Sequence, residues 1–579
     1  VPSGYTAIRT AQDLANIGSS AENLSRNYFL CNDITFGIPF SQIKWPASAS
    51  FQECAEHNTN CPIPFSGVLD GNNKKLVGLT MTGQNGGLFM TTAAGSVIKN
   101  LKILNPQLSV TSGGAFVSSH GGRIENCSLE GLGSIIGQST GSIGGLVGAN
   151  WGTIRNSFVA GEIYLARGKP LGGIAGYSGD GKFESVSVRG NVWLDGNAGL
   201  GSQPLGGIVG RMDGLGFPVS GGNLITRSFV DLRYTPGSSF DVGIFGLSSV
   251  GGLIGEAWQS FKIEESFVHA EIWGGYSVGG LVGHNYSMAE IFDEGPAGTV
   301  IQDSRYESGD YGGVYGILGV GGLVGWMEEG TISNSLVTGS VGASTNSVGG
   351  LVGIVTFLDN TPQVNHSFFN QDANPNLPDS FGEARTDAEL RTLSTFAPAW
   401  SISYIGDPAQ TTWKIASPDG TYLPRLAWEQ PINPSSWPRA SLSGLYTAMI
   451  AYFAETNGFS LDLNYVGWWP PNVSPYFDTV IIGYGTWPPA GFDLSADRTL
   501  ELWKSQAGEL PGALTYHLQA GPPILEHMSS VPYTGTPAGG SWEAGFWAIV
   551  IGNVDGDEGA DIWLVTNLDR FPAHVDADM

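Results

Sequence analysis

The sequence predicts a mainly β chain in two parts, a repeat-built β-solenoid and a smaller α+β domain. Two observations carry the first part: a doubled glycine that recurs nine times between Gly86 and Gly353, and an Ile-headed run that follows it. A third carries the second part: a proline-rich break after Trp428, then one amphipathic helix and several strand-length apolar runs.

The glycine motif reads Gly86-Gly-Leu-Phe, Gly113-Gly-Ala-Phe and Gly144-Gly-Leu-Val-Gly148, and returns from Gly172, Gly206, Gly251, Gly279, Gly321 and Gly349. Successive starts lie 27, 31, 28, 34, 45, 28, 42 and 28 residues apart. The 27–28 spacing is the unit, and longer intervals are that unit with loops inserted; a fixed period of this size marks a solenoid. The second run reads Ile154-Arg-Asn-Ser-Phe-Val, Ile225-Thr-Arg-Ser-Phe-Val, Ile263-Glu-Glu-Ser-Phe-Val and Ile332-Ser-Asn-Ser-Leu-Val. These runs are strand-like, without helical period. A strand of four or five residues cannot bury its apolar face alone, so each coil must stack on the next and build a continuous apolar column. The glycines are expected to supply positive-φ turns and close backbone approach at the coil corners. At ~4.8 Å between paired strands, nine coils make a rod on the order of 43 Å long. Segments 187–205, 212–224, 233–250 and 284–300 exceed a minimal coil and are expected to project as loops, the natural place for partner recognition.

The resulting order is an N-terminal cap and lead-in over 1–85, the repeat array over 86–370, a C-terminal cap over 371–428, a linker over 429–438 and the second domain over 439–579. Three prolines in ten residues mark the linker. A helix is expected over 440–457, where Leu442, Leu445, Tyr446, Met449, Ile450 and Phe453 share one face and Asn457-Gly458 supplies a stop. That face is the candidate partner-binding surface. Strands are expected at 477–484, 513–519, 544–553 and 561–566, with the helix packed across an antiparallel sheet.

Acids outnumber bases 52 to 26, for a net charge of −26 with His neutral. Such a surface repels phosphate backbones and anionic lipid, which argues against nucleic acid as a partner. No run approaches the ~20 apolar residues that span a bilayer, so no transmembrane segment is expected. The chain opens Val1-Pro-Ser-Gly4 without a Met or charged leader, as expected of a terminus left by processing.

Cys54 and Cys61 flank six residues of a loop rich in Asn and Pro, an arrangement suited to a disulfide in an oxidising compartment. The rival reading, a metal pair, lacks a second Cys/His pair at ligand spacing. Cys31 and Cys127 read as small buried side chains, with a pairing between them left open. Asn553, Asp555, Asp557 and Asp561 alternate oxygen side chains along one acidic loop, a pattern that suits calcium. Glycine is not at the sixth position and Leu564 stands where an EF-hand has its bidentate Glu, so a solvated Asp-Gly hairpin turn is the alternative. Catalysis on a β-helix needs paired carboxylates or a basic group on adjacent coils. The position two after each Ile holds Asn100, Asn126, Asn156, Ser185, Arg227, Glu265, Asp303, Asn334 and His366. Glu265 and Asp303, with Arg227 before them, are the single cluster that qualifies, and a surface ladder of mixed charge explains it equally. No catalytic residue is therefore assigned, and the chain reads as a non-enzyme. The eight histidines are scattered, with no metal-binding pair.

Residues 86–370 resemble the GLUG repeats of bacterial surface proteins and adhesins, on Gly144-Gly-Leu-Val-Gly148 with Ile154-Arg-Asn-Ser-Phe158 and their recurrences. Ile8 to Ile17, Tyr28 to Ile34 and Phe65 to Asn72 resemble the usual lead-in, and Arg385 to Arg391 with Trp413 to Leu426 the closing segment. This resemblance implies a right-handed parallel β-helix on a bacterial exterior, often serving attachment. Residues 438–570 resemble the globular part of type IV pilins, on Ser441 to Phe459 and on Ala548 to Asp557 with Asp561-Ile-Trp563. The pilin N-terminal apolar helix, which makes the filament core, is absent from the sequence; the solenoid stands in its place. The resemblance then implies a separate short helical pilin chain, or copies of this chain, as partner. The expected function is an extracellular structural role as a subunit or decorating component of a type IV pilus-like filament. The alternatives are a cell-surface adhesin that binds carbohydrate or protein without a filament, and a β-helix carbohydrate-active enzyme.

Overall fold

The structure is a computed structural model. It describes most of residues 1–429, leaving out 45, 47–60, 139–140, 197–202, 215–221, 235–241, 259, 287–298, 310–311, 346, 357–361, 378–380, 406, 408 and 416–422. Beyond 429 it describes the backbone of six strands. The chain divides into two units, Val1–Trp428 and Glu429–Met579.

Every coil of the first unit pairs in parallel with the coils before and after it. One large sheet of 29 short strands and two further sheets of seven and nine strands collect these pairings. Strand Thr153–Arg155 lies between Arg123–Glu125 and Lys182–Glu184, with Ile154 opposite Ile124 on one side and Phe183 on the other. The register continues through Ile225, Ile263, Ile301, Ile332 and Val364. A second column runs Phe89, Val117, Val147, Ala175, Val209, Ile254, Val282, Val324 and Val352 on the nine-stranded sheet. Nearly all these side chains are fully buried, because the parallel register stacks the same motif position of each coil in one vertical row, whatever length of loop lies between. The period thus becomes a parallel β-solenoid.

The stack starts before the first glycine pair. Tyr5–Ile8 pairs with Asn27–Leu30, which pairs with Val68–Val77 and so with the repeat array. Between the first two strands, Thr10 and Asp13 cap helix Ala11–Ala15 reciprocally, and Leu14 is buried in the end of the column. Among the four segments expected to project, Ser187–Gly190, Val192–Asp195, Gly243–Phe245 and Ser248–Gly251 are strands of the stack. Parallel pairing claims any backbone that can reach the neighbouring coil. What remains of those segments lies largely outside the described residues.

The corner after the Ile-headed strand is where the chain turns through positive φ. All nine residues from Asn100 to His366 at that position have φ between 45° and 54°. Asparagine tolerates this left-handed region far better than other non-glycine residues, which explains its recurrence. The doubled glycines answer a different demand. From Gly144 onward none of the nine-fold motif's paired glycines has a φ in that region; at Gly206 an added Cβ would instead lie 2.0 Å from the Val209 carbonyl oxygen. The expectation of positive-φ turns therefore holds at Gly87 and Gly113, while close approach governs the later pairs.

Inside the same corner a serine ladder runs up the solenoid. The Ser266 hydroxyl accepts from the Ser228 backbone N–H at 3.2 Å, Ser304 from Ser266 at 3.2 Å, Ser335 from Ser304 at 3.3 Å and Ser367 from Ser335 at 3.1 Å. Each hydroxyl donates in turn to the carbonyl two residues earlier in its own coil. Buried amides that the turn removes from strand pairing are satisfied this way. His366 is exposed and holds φ 45° without the local hydrogen bonding that suits Asn. His366→Asn is expected to raise the stability of the last coils by about 0.5–1 kcal/mol, read as an upward shift of the melting temperature; a downward shift would refute the strain argument.

The second unit contains a six-stranded antiparallel sheet in the order Ile524–Met528, Leu514–His517, Phe477–Tyr484, Phe546–Gly552, Asp561–Thr566, Asp569–Asp576. The outer strands Ile524–Met528 and Asp569–Asp576 were not expected from the sequence, because neither has a run of β-branched residues. Leu442, Leu445, Tyr446, Met449, Ile450 and Phe453 lie outside the described residues.

Candidate functional site on the flank of the solenoid

The segment after the last coil folds back along the outside of the stack as a strap. It comprises helices Asp387–Leu390 and Leu393–Phe396 and a small sheet of Ile402–Tyr404, Trp413–Ile415 and Arg425–Leu426. Leu390, Phe396, Trp400, Trp413, Ile415 and Leu426 form a satellite core with Leu336 and Phe368 of the solenoid wall. Three indole N–H groups fasten it to the positive-φ corners. Trp400 donates to the His366 carbonyl at 2.7 Å, Trp413 to the Asp303 carboxylate at 3.1 Å and Trp428 to the Glu265 carbonyl at 2.8 Å. Trp428 also packs on Phe229 and Phe267, whose rings stack at 4.9 Å. The closing segment is thus a cover for the flank of several coils.

This places the strap's tryptophans against Glu265 and Asp303, which the structure does bring together with Arg227 at one corner of three successive coils. Arg227 Nε lies 2.8 Å from Glu265 Oε2, and that carboxylate raises the already high pKa of the guanidinium. Burial pushes the Asp303 carboxyl above its ordinary value, against the hydrogen bonds of Trp413 and Asn334. The corner therefore holds one pinned ion pair and one acid engaged by an indole. Each group is spent on the ladder or the strap.

Beside it lies a cavity of about 180 Å³ lined by Arg305, Glu307, Thr338, Arg391, Leu423, Pro424 and Arg425. Asp231, His269 and Glu307 face outward at the same register position of three coils. Asp231 Oδ1 is 2.9 Å from His269 Nδ1 and 2.8 Å from Arg233 Nε. Arg305 Nη1 is 2.8 Å from Glu307 Oε2, and Arg391 Nε is 2.6 Å from Asp387 Oδ2. Burial pushes Glu307 up, but the charges of Arg305, Arg425 and His269 outweigh it and hold the carboxyl at about 2. For Asp231 burial is likewise outweighed, by His269 and Arg233, and its pKa falls. The arrangement is a polar seam between strap and solenoid. In the sequence His269 stands isolated, with no metal-binding partner at ligand spacing. The signal is a common offset, since Asp231, His269 and Glu307 each stand six residues after the Ile of their coil.

A carboxyl whose folded pKa lies below its unfolded value stabilises fully above the unfolded value, near 4.5 for Glu307, and loses that contribution as pH falls toward about 2. Acidification from pH 5 to pH 2 is expected to loosen the strap before the coils. Hydrogen exchange over 387–428 should accelerate across that window, and Glu307→Gln should flatten the dependence.

The remaining candidates are placed as follows. Cys61 is disulfide-bonded, whereas Cys54 lies outside the described residues. Cys31 and Cys127 are free thiols, and burial pushes Cys127 up to about 12. Asp561 opens its strand opposite Gly552, while Asn553, Asp555 and Asp557 lie outside the described residues. Among the described residues no group of three His, Cys, Asp or Glu is placed to hold a metal ion. No helix among them is long and apolar enough to cross a membrane.

No protein-family model matches this chain. It is similar to halomucin of Haloquadratum walsbyi, 29% identical over 200 residues. That stretch is 33% of this chain and 2% of halomucin, so the chain spans a very small part of that protein's length. Among solved structures it is similar to a protein from Bacteroides ovatus described as a "putative immunoglobulin A1 protease", at 14% identity. The match covers 74% of this chain and 94% of the other with a TM-score of 0.30, too low to carry an argument.

Proposed function

We propose that this chain is an extracellular structural protein whose solenoid is displayed for surface contact or adhesion, and that its C-terminal unit joins it to a type IV pilus-like filament. The observation that carries the display reading is the sealed flank. The Arg227, Glu265 and Asp303 cluster that the sequence offers for acid–base chemistry is taken up by Arg227–Glu265 pairing and by the Trp413 indole, which leaves a rigid wall with outward faces. Contact surface, with no catalytic role, is the use such a wall supports.

The filament role rests on the resemblance of residues 438–570 to pilin globular parts, and the antiparallel sheet of the second unit is compatible with it. In this reading the partner is a separate short helical pilin, or copies of this chain in a filament, with Leu442, Leu445, Tyr446, Met449, Ile450 and Phe453 as the contact face. In the same reading Cys54 pairs with Cys61, and Asn553, Asp555, Asp557 and Asp561 hold calcium. Immunogold electron microscopy of native cells with an antibody to the solenoid tests the proposal. Label along filaments supports it; label confined to the cell body or the medium removes the filament role, and a monomer in native extracts does the same. A melting temperature indifferent to added calcium removes the metal site.

A further inference from the structure

Five successive coils each present one aromatic ring on the same outer face. Tyr164 stands opposite Trp193, Asp195 two residues on stands opposite Phe245, and Phe245, Trp273 and Tyr315 follow in register. Their chain neighbours Ile163, Val192, Leu194, Ile244, Ile272 and Val314 are buried, so alternation fixes the rings outward. The Tyr164 and Trp193 ring centroids are 5.0 Å apart, and those of Trp273 and Tyr315 are 5.4 Å apart. Trp273 is 48% exposed, and Leu247, Tyr276 and Ile317 on the adjoining corners are 46%, 53% and 46% exposed. Apolar surface so gathered on a charged chain marks a contact site.

The polar atoms among the rings say what kind. Tyr164 Oη donates to Asp195 Oδ2 at 2.9 Å, Trp273 Nε1 donates to Glu271 Oε1 at 2.9 Å, and Tyr315 Oη lies 3.1 Å from Ser340 Oγ. Tyr164 and Trp273 are each held by a carboxylate acceptor, and Tyr315 shares a hydrogen bond with a hydroxyl. A pyranose ring has one face of C–H groups and a rim of hydroxyl donors, complementary to a ring flanked by such oxygens. A buried apolar helix or an acyl chain would instead strip water from Asp195 and Glu271 without offering donors. Those same carboxylates disfavour sulfated or uronic sugars and phosphate headgroups. Within each row the coil spacing repeats the rings at about 4.8 Å, comparable with successive sugar units of an extended chain, and the row steps sideways by two residues between Trp193 and Phe245.

We infer that this aromatic stripe binds a neutral polysaccharide laid along the solenoid axis. The inference rests on the display reading and names what the displayed wall contacts. Its test uses the full chain in affinity electrophoresis through soluble neutral glucans, mannans and xylans, and in pull-down on cellulose and chitin, with hyaluronan as the anionic control. At least one neutral polysaccharide is expected to retain the chain, and the Trp273→Ala/Tyr315→Ala variant to bind about tenfold more weakly or worse. If that variant melts early, Tyr276→Ala on the exposed corner serves in its place. Four results overturn the inference: no neutral polysaccharide retains the chain, the variant binds as well as the parent, retention occurs on hyaluronan alone, or the variant loses self-association and nothing else. Absence of surface label in microscopy defeats the display reading separately, whatever the sugar assay gives.

Discussion

Gly251→Ala is expected to break the stack at its sixth doubled glycine. An added Cβ there would lie 2.0 Å from the Ile254 carbonyl oxygen and 2.6 Å from the Gly283 backbone nitrogen of the next coil. Both are backbone atoms locked in the pairing, so no side chain can swing aside. Overpacking of this kind costs about 3 kcal/mol or more where relief requires backbone movement. Because each coil contacts mainly its neighbours, the damage should stay local in origin and split the unfolding of residues 1–250 from that of 279–428. Calorimetry should show a lowered or divided transition, and hydrogen exchange should rise first around residues 248–283. Gly95→Ala is the matched control, since nothing lies within 4 Å of its added Cβ; it should change stability by less than about 0.5 kcal/mol. Equal melting of Gly251→Ala and Gly95→Ala would remove close approach as the reason for the motif.

Trp413→Ala is expected to release the strap. Trp413 is fully buried, packs on Trp400 at a ring-centroid distance of 4.7 Å and supplies the N–H that meets Asp303. Truncating a buried Trp costs about 3–5 kcal/mol, and here it also deprives a partly buried carboxyl of its donor. Trp413 sits within the satellite core that holds the strap to Leu336 and Phe368, so the loss should appear as its detachment. Limited proteolysis should cut within 397–428 while the repeat array stays intact, and hydrogen exchange should rise at the Leu336 and Phe368 strands. Trp413→Phe keeps most of the packing and loses the hydrogen bond, so its effect should be clearly smaller. Protease resistance equal to that of the parent chain would show that the strap is not held by this residue.

The reach of the sequence is seen in particular residues. Ile154, Ile225, Ile263, Ile301 and Ile332 were readable as one buried row because each heads the same recurring run, and a parallel solenoid stacks recurring runs as vertical neighbours. The positions Asn100 to His366 were readable as a ladder, but not as a left-handed corner; side-chain identity signals that conformation at the asparagines and contradicts it at Arg227, Glu265 and His366. Glu265 and Asp303 looked like candidate catalysts because spacing alone places them on adjacent coils. Nothing in their own repeats announces that Trp413 and Trp428 cover them, for those tryptophans lie over a hundred residues later. The aromatic stripe was hidden for a related reason. Loop insertions of unequal length separate Tyr164, Trp193, Phe245, Trp273 and Tyr315 in the chain, and only strand pairing gathers them into two adjacent rows, Tyr164 with Trp193 and Phe245 with Trp273 and Tyr315, on one face.

By itself, the sequence determined that this protein winds into stacked coils, because periodic apolar residues bring their own neighbours with them and need no distant partner. Tertiary structure alone decided which outward faces are covered and which stay open. That choice depends on where a non-repeating segment, residues 386–428, finds apolar and hydrogen-bonding partners on a wall whose faces are locally alike.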